Sequence, residues 1–402
     1  MADFYQTGAV ATFHKLGPDN LEKIEAELTW YSHERPIALV LPSLYSELKG
    51  EALKGIIRDL KEVKYLNEIV VTLGPCTRKE FDHAREFFSV LPQPTKLIWN
   101  NGNRIKEVYK TIESAGLKLG EQGKGQSAWT AYGYILAQKN IDVIALHDCD
   151  IISYSRDLLA RLCYPVTSPN LDYEFCKGYY SRVTDRMHGR VTRILVTPLL
   201  RSLIKILGHK PLLVFLDSFR YPLSGEFSMD VDLARVNRIP GDWGLEMGVL
   251  AEVYRNCSVR RVCQIDIADN YEHKHQKLIP DDPTKGLMKM CIEICKSLFR
   301  TLASEGFLLS DNFFKILIAT YSRTAQDMLK RYEDDAAVNS LSFFRHEETL
   351  AVETFIEGIK NAADIIMKDP LGVPLIPSWD RVNSALPDIM KMVAKAVDDD
   401  NK

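Results

Sequence analysis

The strongest constraint on the fold is a regular alternation of short apolar runs with longer amphipathic segments between residues 18 and 151. Four apolar runs have the length and composition of strands, at residues 37–42, 67–74, 95–100 and 142–151. Segments with the helical spacing of apolar residues precede or separate them, at 18–34, 51–63, around 78–90 and at 105–117. A continuous apolar run is typical of a strand buried on both faces of a parallel sheet. The alternation therefore predicts right-handed β–α–β units and a doubly wound α/β sheet.

Polar residues that follow these strands are the first candidates for function, because ligands of such sheets bind beyond the carboxyl ends of the strands. Asp148 and Asp150 follow the last apolar run, and alternate residues of a strand point to the same side. Two carboxylates placed in this way can share Mg²⁺ or Mn²⁺ with the phosphate oxygens of a ligand. The alternative is a pair of solvent-facing turn residues.

Two glycine-containing segments are candidates for binding phosphate groups. Lys124 lies between Gly123 and Gly125 at the start of a predicted helix, where glycines allow close approach of a ligand and lysine supplies a point charge. Residues 188–192 precede another helical run, where free backbone N–H groups, the Arg190 guanidinium and a threonine hydroxyl could bind an anion. The structural alternatives are a surface turn in the first segment and a solvated arginine beside a capping threonine in the second.

Two glutamates and a histidine complete the set of candidate residues. Glu226 follows Gly225, and Glu246 begins a helical run just after Trp243. A glutamate at a helix start is usually explained by its favourable interaction with the helix dipole. His273 could join the two aspartates as a metal ligand, or it could be a structural hydrogen-bonding residue.

Composition excludes several classes of protein. Among 402 residues, 51 basic and 54 acidic side chains give a formal charge of −3, so no basic surplus favours binding to nucleic acid or anionic membranes. Apolar stretches fall short of the roughly 20 residues that a membrane span needs, and the N-terminus lacks a secretory signal pattern. Eight cysteines without a CxxC pair indicate reduced thiols in a cytoplasmic protein rather than disulfides or a structural zinc site.

Changes in the pattern of predicted strands and helices along the chain indicate three regions. Residues 1–35 form an N-terminal helical extension, and residues 285–402 form a helix-rich C-terminal region. Between them lies an α/β region over residues 36–284, which the family resemblance described next identifies as a catalytic domain with a nucleotide-sugar half at 36–151 and an acceptor half at 152–284.

The order of motifs resembles that of the retaining GT-A glucosyl-3-phosphoglycerate synthases and, more distantly, that of the mannosylglycerate-forming enzymes. The resemblance extends over roughly residues 36 to 300, and its most specific pieces are GRVTRILVTPLL (189–200), YPLSGEF (221–227) and GDWGLEMGVLAEVY (241–254). It implies a GT-A fold, that is, a Rossmann-like nucleotide-sugar-binding domain with a mixed, mostly parallel sheet, followed by a helical C-terminal subdomain.

The resemblance also implies roles for individual residues. The donor nucleotide and sugar would be bound by Pro42, Leu44, Glu47, Lys124, Asp148, Cys149, Gly225 and Trp243. The phosphate and carboxylate of the acceptor would be bound by Gly189, Arg190, Val191, Thr192 and His275. Mg²⁺ or Mn²⁺ would be held by Asp148, Asp150 and His273, and the residues acting at the reacting centre would be Glu246, Glu226 and Asp150.

The function implied is metal-dependent, retaining transfer of glucose from UDP-glucose or a similar donor to the 2-hydroxyl of 3-phosphoglycerate, for glucosylglycerate synthesis. Residues 42–47 and 72–74 depart from the family pattern on the donor side, so the donor base and sugar stay open. The alternatives are mannosyl transfer from GDP-mannose to glycerate or phosphoglycerate, and a nucleotide-sugar-binding protein without catalytic activity. The resemblance further suggests a homodimer.

Overall fold

The computed structural model of the protein describes residues 6, 8–16, 20–120, 122–272, 282–371 and 375–402. Within these ranges, eight strands form one sheet in the order β1-β8-β6-β7-β5-β2-β3-β4. The strands are β1 (Ala11–Phe13), β2 (Ile37–Ser43), β3 (Leu66–Leu73), β4 (Thr95–Trp99), β5 (Val143–Leu146), β6 (Phe175–Tyr180), β7 (Phe227–Asp230) and β8 (Val262–Ala268). Strand β7 runs antiparallel to both of its neighbours, and every other pairing is parallel.

Helices cover both faces of the sheet and dominate the C-terminal part of the chain. The first ten are α1 (Leu21–Tyr31), α2 (Glu51–Leu60), α3 (Arg78–Phe88), α4 (Asn103–Ser114), α5 (Lys124–Gln138), α6 (Arg156–Thr167), α7 (Thr197–Leu207), α8 (Pro211–Asp217), α9 (Val231–Val236) and α10 (Leu245–Asn256). The others are α11 (Gly286–Ser304), α12 (Asp311–Val338), α13 (Arg345–Lys368), α14 (Trp379–Ala385) and α15 (Ile389–Asp400).

The predicted α/β class with a mixed, mostly parallel sheet is confirmed. The apolar runs form β2 to β5, and the side chains of β5 are all buried. Two separate clusters of buried apolar residues lie on the two faces of the sheet. Such burial on both faces explains why these strands read as continuous apolar runs rather than as alternating ones. The fourth run was predicted to extend to residue 151, but β5 ends at Leu146, and the chain leaves the sheet there.

The N-terminal segment differs from the helical extension that the sequence predicts. It contains α1, but also the strand β1, which pairs in parallel with β8 at the sheet edge, with Ala11 opposite Cys263. A strand of three residues is too short for a detectable period, and its pairing is decided by a segment that lies far away in the sequence.

The C-terminal region is helical, as predicted, and parts of it are packed into the α/β fold. Trp379 of α14 stacks on Trp129 of α5, with ring centroids 4.0 Å apart. After α15, the side-chain amide of Asn401 exchanges two hydrogen bonds with the backbone of Leu97 in the edge strand β4. The boundary at 284/285 stays a prediction.

Two sequence expectations concern the environment of the protein. No helix in the described ranges is long and apolar enough to cross a membrane. All eight cysteines fall within those ranges, where they are buried and form no disulfide.

Candidate active site

A cavity of about 490 Å³ opens beyond the ends of β5 and β6. Its wall is made by residues from the α/β domain and from helices α11 and α13. The lining residues are Lys124, Asp148, Tyr180, Arg182, Asp185, Arg186, Met187, His188, Gly189, Arg190, Val191, Thr192, Tyr221, Leu223, Gly225, Trp243, Glu246, Leu287, Met290, Ile294, Glu347 and Glu348. The cavity therefore joins the aspartate that follows β5 to the glycine–arginine segment that precedes α7.

One end of the cavity holds an ion cluster of Lys124, Asp148 and Glu246. The Lys124 ammonium lies 2.6 Å from Oδ1 of Asp148 and 3.0 Å from Oε1 of Glu246. Burial alone would lower the pKa of Lys124, but the two carboxylates outweigh it and raise that pKa well above its ordinary value. Lysine is thus held charged between two carboxylates, where it can meet the phosphates of a ligand.

Asp150 stands beside this cluster, with its carboxylate in a strongly negative environment. Burial first, then the charges of Asp148 and Glu47, raise the pKa of Asp150 to about 7. Crowded hard carboxylates are the ligands that Mg²⁺ and Mn²⁺ prefer, so Asp148 and Asp150 fit such a cation. Within the described ranges, no group of three His, Cys, Asp or Glu side chains could hold a metal ion. The predicted third ligand, His273, and the predicted acceptor residue His275 lie outside the described residues.

The glycines around Lys124 have a different role from the one inferred from sequence. They were expected to let the backbone approach a ligand, but they face the loop before α10 instead. A Cβ on Gly125 would lie 1.9 Å from the carbonyl oxygen of Pro240. Gly225 does lie at the cluster, where a Cβ would be 2.6 Å from Oδ2 of Asp148 and 3.0 Å from Nζ of Lys124. At both Gly125 and Gly225, glycine is therefore required because a side chain would collide with neighbouring atoms.

Glu226 was predicted to act at the reacting centre, but its side chain is fully buried and does not line the cavity. Its carboxylate accepts hydrogen bonds from the hydroxyls of Ser224, Tyr180 and Tyr271, at 2.8, 2.9 and 2.6 Å. The rings of the two tyrosines stack with centroids 3.7 Å apart. Glu226 is therefore a buried acceptor that orders these hydroxyls, and one of its partners, Tyr180, lines the cavity.

The other end of the cavity is formed by residues 189–192, here named the GRVT segment. Gly189 has φ +76°, which only glycine adopts readily, and its carbonyl accepts the Arg193 N–H that begins the following helical turn. The Thr192 hydroxyl is buried and has no hydrogen-bond partner among the described residues. Early N–H groups of a helix lack partners within the helix, so this end offers backbone donors and a hydroxyl to an anion.

A helical turn with π geometry begins within the GRVT segment and spans Val191–Val196. Pro198 lies at the start of α7 and has no N–H to donate to the carbonyl of Ile194. That carbonyl instead accepts a hydrogen bond of 2.6 Å from the Tyr321 hydroxyl of α12. A helix of the C-terminal region thus stabilises the irregular turn that shapes this end of the cavity.

Two glutamates at the start of α13, here named the α13 carboxylates, face the GRVT segment. Nε of Arg190 donates to Glu348 at 2.7 Å, and Nη2 donates to Glu347 at 2.9 Å. Arg193 also donates to Glu348, at 3.2 Å, and its Nε donates to the carbonyl of His188 at 2.8 Å. The alternative of a solvated Arg190 is therefore wrong, because the guanidinium is held by the C-terminal region.

The predicted donor residues at the end of β2 lie outside this cavity. Leu44 is 53% exposed, whereas Glu47 caps the short helical turn after it by accepting from the Leu44 N–H at 2.9 Å. Cys149 is buried, and burial raises its thiol pKa well above the ordinary value.

The cavity brings together nine of the predicted residues, and these are Lys124, Asp148, Gly189, Arg190, Val191, Thr192, Gly225, Trp243 and Glu246. Those outside its lining are Pro42, Leu44, Glu47, Cys149, Asp150 and Glu226.

Sequence reasoning missed several residues at the site. A detectable signal existed for Lys177, since it is a charged residue inside the buried strand β6, and its ammonium donates to the Ser224 carbonyl at 2.6 Å. No such sequence signal existed for Glu347 and Glu348, because glutamates are common at the start of a helix.

Comparison with known proteins identifies relatives along the whole chain. The chain is 47% identical over 401 residues to a glucosyl-3-phosphoglycerate synthase of Persephonella marina, covering 100% of this chain and 99% of the relative. It is 39% identical over 399 residues to a glucosyl-3-phosphoglycerate synthase of Methanococcoides burtonii, covering 98% of this chain and 97% of the relative. No family model matches the chain.

Solved structures of similar fold include glucosyl-3-phosphoglycerate synthase of Mycobacterium tuberculosis. Its complex with Mn²⁺, UDP-glucose and phosphoglyceric acid has a TM-score of 0.53 and 18% identity, covering 74% of this chain and 89% of that one. Its complex with Mg²⁺ and UDP has a TM-score of 0.51 and 18% identity, covering 74% and 88% of the two chains. At this identity the likeness shows a common fold.

Proposed function

The chain belongs to the glucosyl-3-phosphoglycerate synthase family of glycosyltransferases, and we propose that it transfers glucose from UDP-glucose, or a similar nucleotide glucose, to the 2-hydroxyl of 3-phosphoglycerate. The observation that carries the proposal is a single cavity of about 490 Å³ with a lysine–carboxylate cluster at one end and the GRVT segment at the other. The first end suits a diphosphate and its cation, and the second suits a small phosphorylated acid.

At the donor end, Asp148 and Asp150 would hold Mg²⁺ or Mn²⁺, with His273 as the further ligand that the family resemblance implies. The bound cation would offset the negative charge that develops on the departing diphosphate. Lys124 lies 2.6 Å from Asp148 and would donate to a phosphate oxygen of the donor. The M. tuberculosis relative was solved with Mg²⁺ and UDP and with Mn²⁺ and UDP-glucose, which supports this assignment.

At the acceptor end, Arg190 and the first N–H groups of the helical turn would bind the phosphate and carboxylate of 3-phosphoglycerate. The buried Thr192 hydroxyl would add a further donor, because it has no partner among the described residues. Holding both substrates in one cavity would supply much of the rate acceleration by positioning alone.

In the reaction, the acceptor oxygen would form a bond to the anomeric carbon as the bond from that carbon to the diphosphate oxygen breaks. Attack on the face that the diphosphate leaves would retain the anomeric configuration, and the hydroxyl proton would pass to the departing phosphate oxygen. Glu246, held by Lys124 at 3.0 Å, would hydrogen-bond the hydroxyls of the glucose ring. The homodimer and cytoplasmic location implied by the resemblance stay predictions.

A panel of donors and acceptors tests the proposal. Nucleotide release is measured with UDP-, ADP- and GDP-glucose and GDP-mannose, each with 3-phosphoglycerate or glycerate, and the product anomer is assigned by NMR. We expect turnover with a glucose donor and 3-phosphoglycerate, retention at the anomeric carbon, loss of activity in EDTA and recovery with Mn²⁺ or Mg²⁺. Equal use of glycerate would refute the phosphorylated acceptor, and full activity in EDTA would refute the metal.

A further inference from the structure

The arginine proposed to bind the acceptor phosphate is already paired with carboxylates from the same chain. Arg190 makes its two ion pairs with adjacent residues of α13, Glu347 at 2.9 Å and Glu348 at 2.7 Å. Both glutamates line the cavity together with the GRVT segment. A carboxylate bound to a guanidinium occupies donors that a phosphate would otherwise use.

The two glutamates differ in burial and in number of partners. The Glu348 side chain is 7% exposed, and it bridges Arg190 and Arg193. Arg193 in turn donates to the carbonyls of Met187 and His188, which fixes the loop before the GRVT segment. Glu348 therefore belongs to a buried network that holds both arginines in place.

Glu347 is the exposed member of the pair. Its side chain is 53% exposed, and among the residues that the structure describes its carboxylate pairs with Nη2 of Arg190. An exposed ion pair of this kind contributes little to stability and can be broken by a competing anion. A phosphate dianion carries more charge and more acceptor oxygens than a carboxylate, so it competes well for the same edge.

We propose that Glu347 is an intramolecular competitor that alternates with the phosphate of the substrate on Arg190, while Glu348 is a positioning residue that keeps Arg190 at the cavity wall through the network it shares with Arg193. The inference rests on the proposed function, since it takes the GRVT segment as the acceptor site. The product keeps the phosphate of the acceptor, so Glu347 also helps to displace the product. The C-terminal helical region thereby tunes the affinity for phosphorylated ligands.

The two substitutions are expected to act in opposite directions. Glu347→Gln removes the competing charge, so KM for 3-phosphoglycerate and the inhibition constant of inorganic phosphate should both fall about 2- to 5-fold. Glu348→Gln weakens a buried network, so KM for 3-phosphoglycerate should rise about tenfold or more. In both variants KM for the nucleotide sugar should stay unchanged, because the donor binds at the other end of the cavity.

The matched control is Glu353→Gln, an exposed glutamate on the same helix, which should change neither constant. Steady-state kinetics of the full chain are combined with calorimetric titration of inorganic phosphate into each variant, which needs no turnover. The inference is overturned if Glu347→Gln binds phosphate no more tightly than the wild type. A wild type that binds phosphate but does not glucosylate 3-phosphoglycerate would instead refute the proposed function, and the calorimetric comparison would still decide the inference.

Discussion

The buried lysine of β6 gives the sharpest prediction. Lys177 is 1% exposed, its ammonium donates to the Ser224 carbonyl at 2.6 Å, and it lies 5.4 Å from the centroid of the Phe227 ring. Burial lowers the pKa of Lys177 from the ordinary 10.5 to about 8. The charges of Glu246, Glu226 and Asp148 oppose this lowering, and the charge of Lys124 adds to it.

The pKa of this lysine is lower in the folded than in the unfolded chain, so the folded state binds fewer protons between pH 8 and 10.5. Stability therefore rises with pH across that interval. Below pH 8 the folded protein carries a penalty for the buried charge, which amounts to about 3 kcal/mol at 1.36 kcal/mol per pH unit. The penalty vanishes as the pH passes 10.5.

Lys177→Met removes this penalty but leaves the Ser224 carbonyl without its donor, at a cost of about 1–3 kcal/mol. At pH 7 the two effects nearly cancel, and at pH 10.5 only the cost remains. Relative to the variant, the wild type should therefore gain up to about 3 kcal/mol of unfolding free energy between pH 8 and 10.5.

The assay is urea unfolding of both proteins at pH 7, 8, 9, 10 and 10.5, followed by intrinsic fluorescence. Titration of the cysteines and tyrosines is common to both proteins and cancels in the difference. Lys79→Met, at an exposed lysine of α3, should show a difference from the wild type that does not change with pH. A constant difference for Lys177→Met as well would refute the assignment of a depressed pKa to this buried ammonium.

Three further predictions concern the site and its support. Asp150→Asn should lower kcat about 100-fold or more and weaken Mn²⁺ binding in calorimetry, because it removes one of the two proposed carboxylate ligands; an active variant with unchanged Mn²⁺ affinity would contradict the metal assignment. Arg190→Ala should raise KM for 3-phosphoglycerate at least about tenfold without changing KM for the nucleotide sugar. The control Arg235→Ala, at an exposed arginine of α9, should change neither KM. An equal rise of both KM values in Arg190→Ala would contradict the acceptor role. Trp379→Ala should cost about 3–5 kcal/mol in urea unfolding, since it removes a fully buried ring stacked at 4.0 Å on Trp129; a smaller loss than about 1 kcal/mol would show that α14 is not integral to the fold.

The fold was largely predictable, because its signals are local. The strands β2 to β5 appear in the sequence as continuous apolar runs, as expected of strands buried on both faces. Turns and amphipathic helices lie between them. The strands β1, β6, β7 and β8 were not predicted from the sequence. Three residues of β1 carry no period, and the antiparallel direction of β7 is set by its partners β5 and β6.

The site was predictable where it follows strand ends and motifs, and not where distant segments meet. Asp148, Lys124 and the GRVT segment were found from their positions before or after regular elements. Glu226 was predicted to act at the reacting centre, but its buried carboxylate is held by three hydroxyl donors and does not line the cavity. No pattern in the sequence distinguishes a glutamate that points into a cavity from one that is buried behind it.

The sequence by itself determined the α/β class, the strand ends that carry the aspartates, and the family resemblance with the residues it implies. These depend on hydrophobic period and on short motifs, which are properties of neighbouring residues. Only the tertiary structure decided that Lys124 meets Glu246 across 122 residues and that Arg190 meets Glu347 and Glu348 across 157 and 158 residues. Contacts at such separations arise from the packing of whole helices against the sheet. The residues that neighbour a charged side chain in the sequence do not indicate which distant residue it will contact.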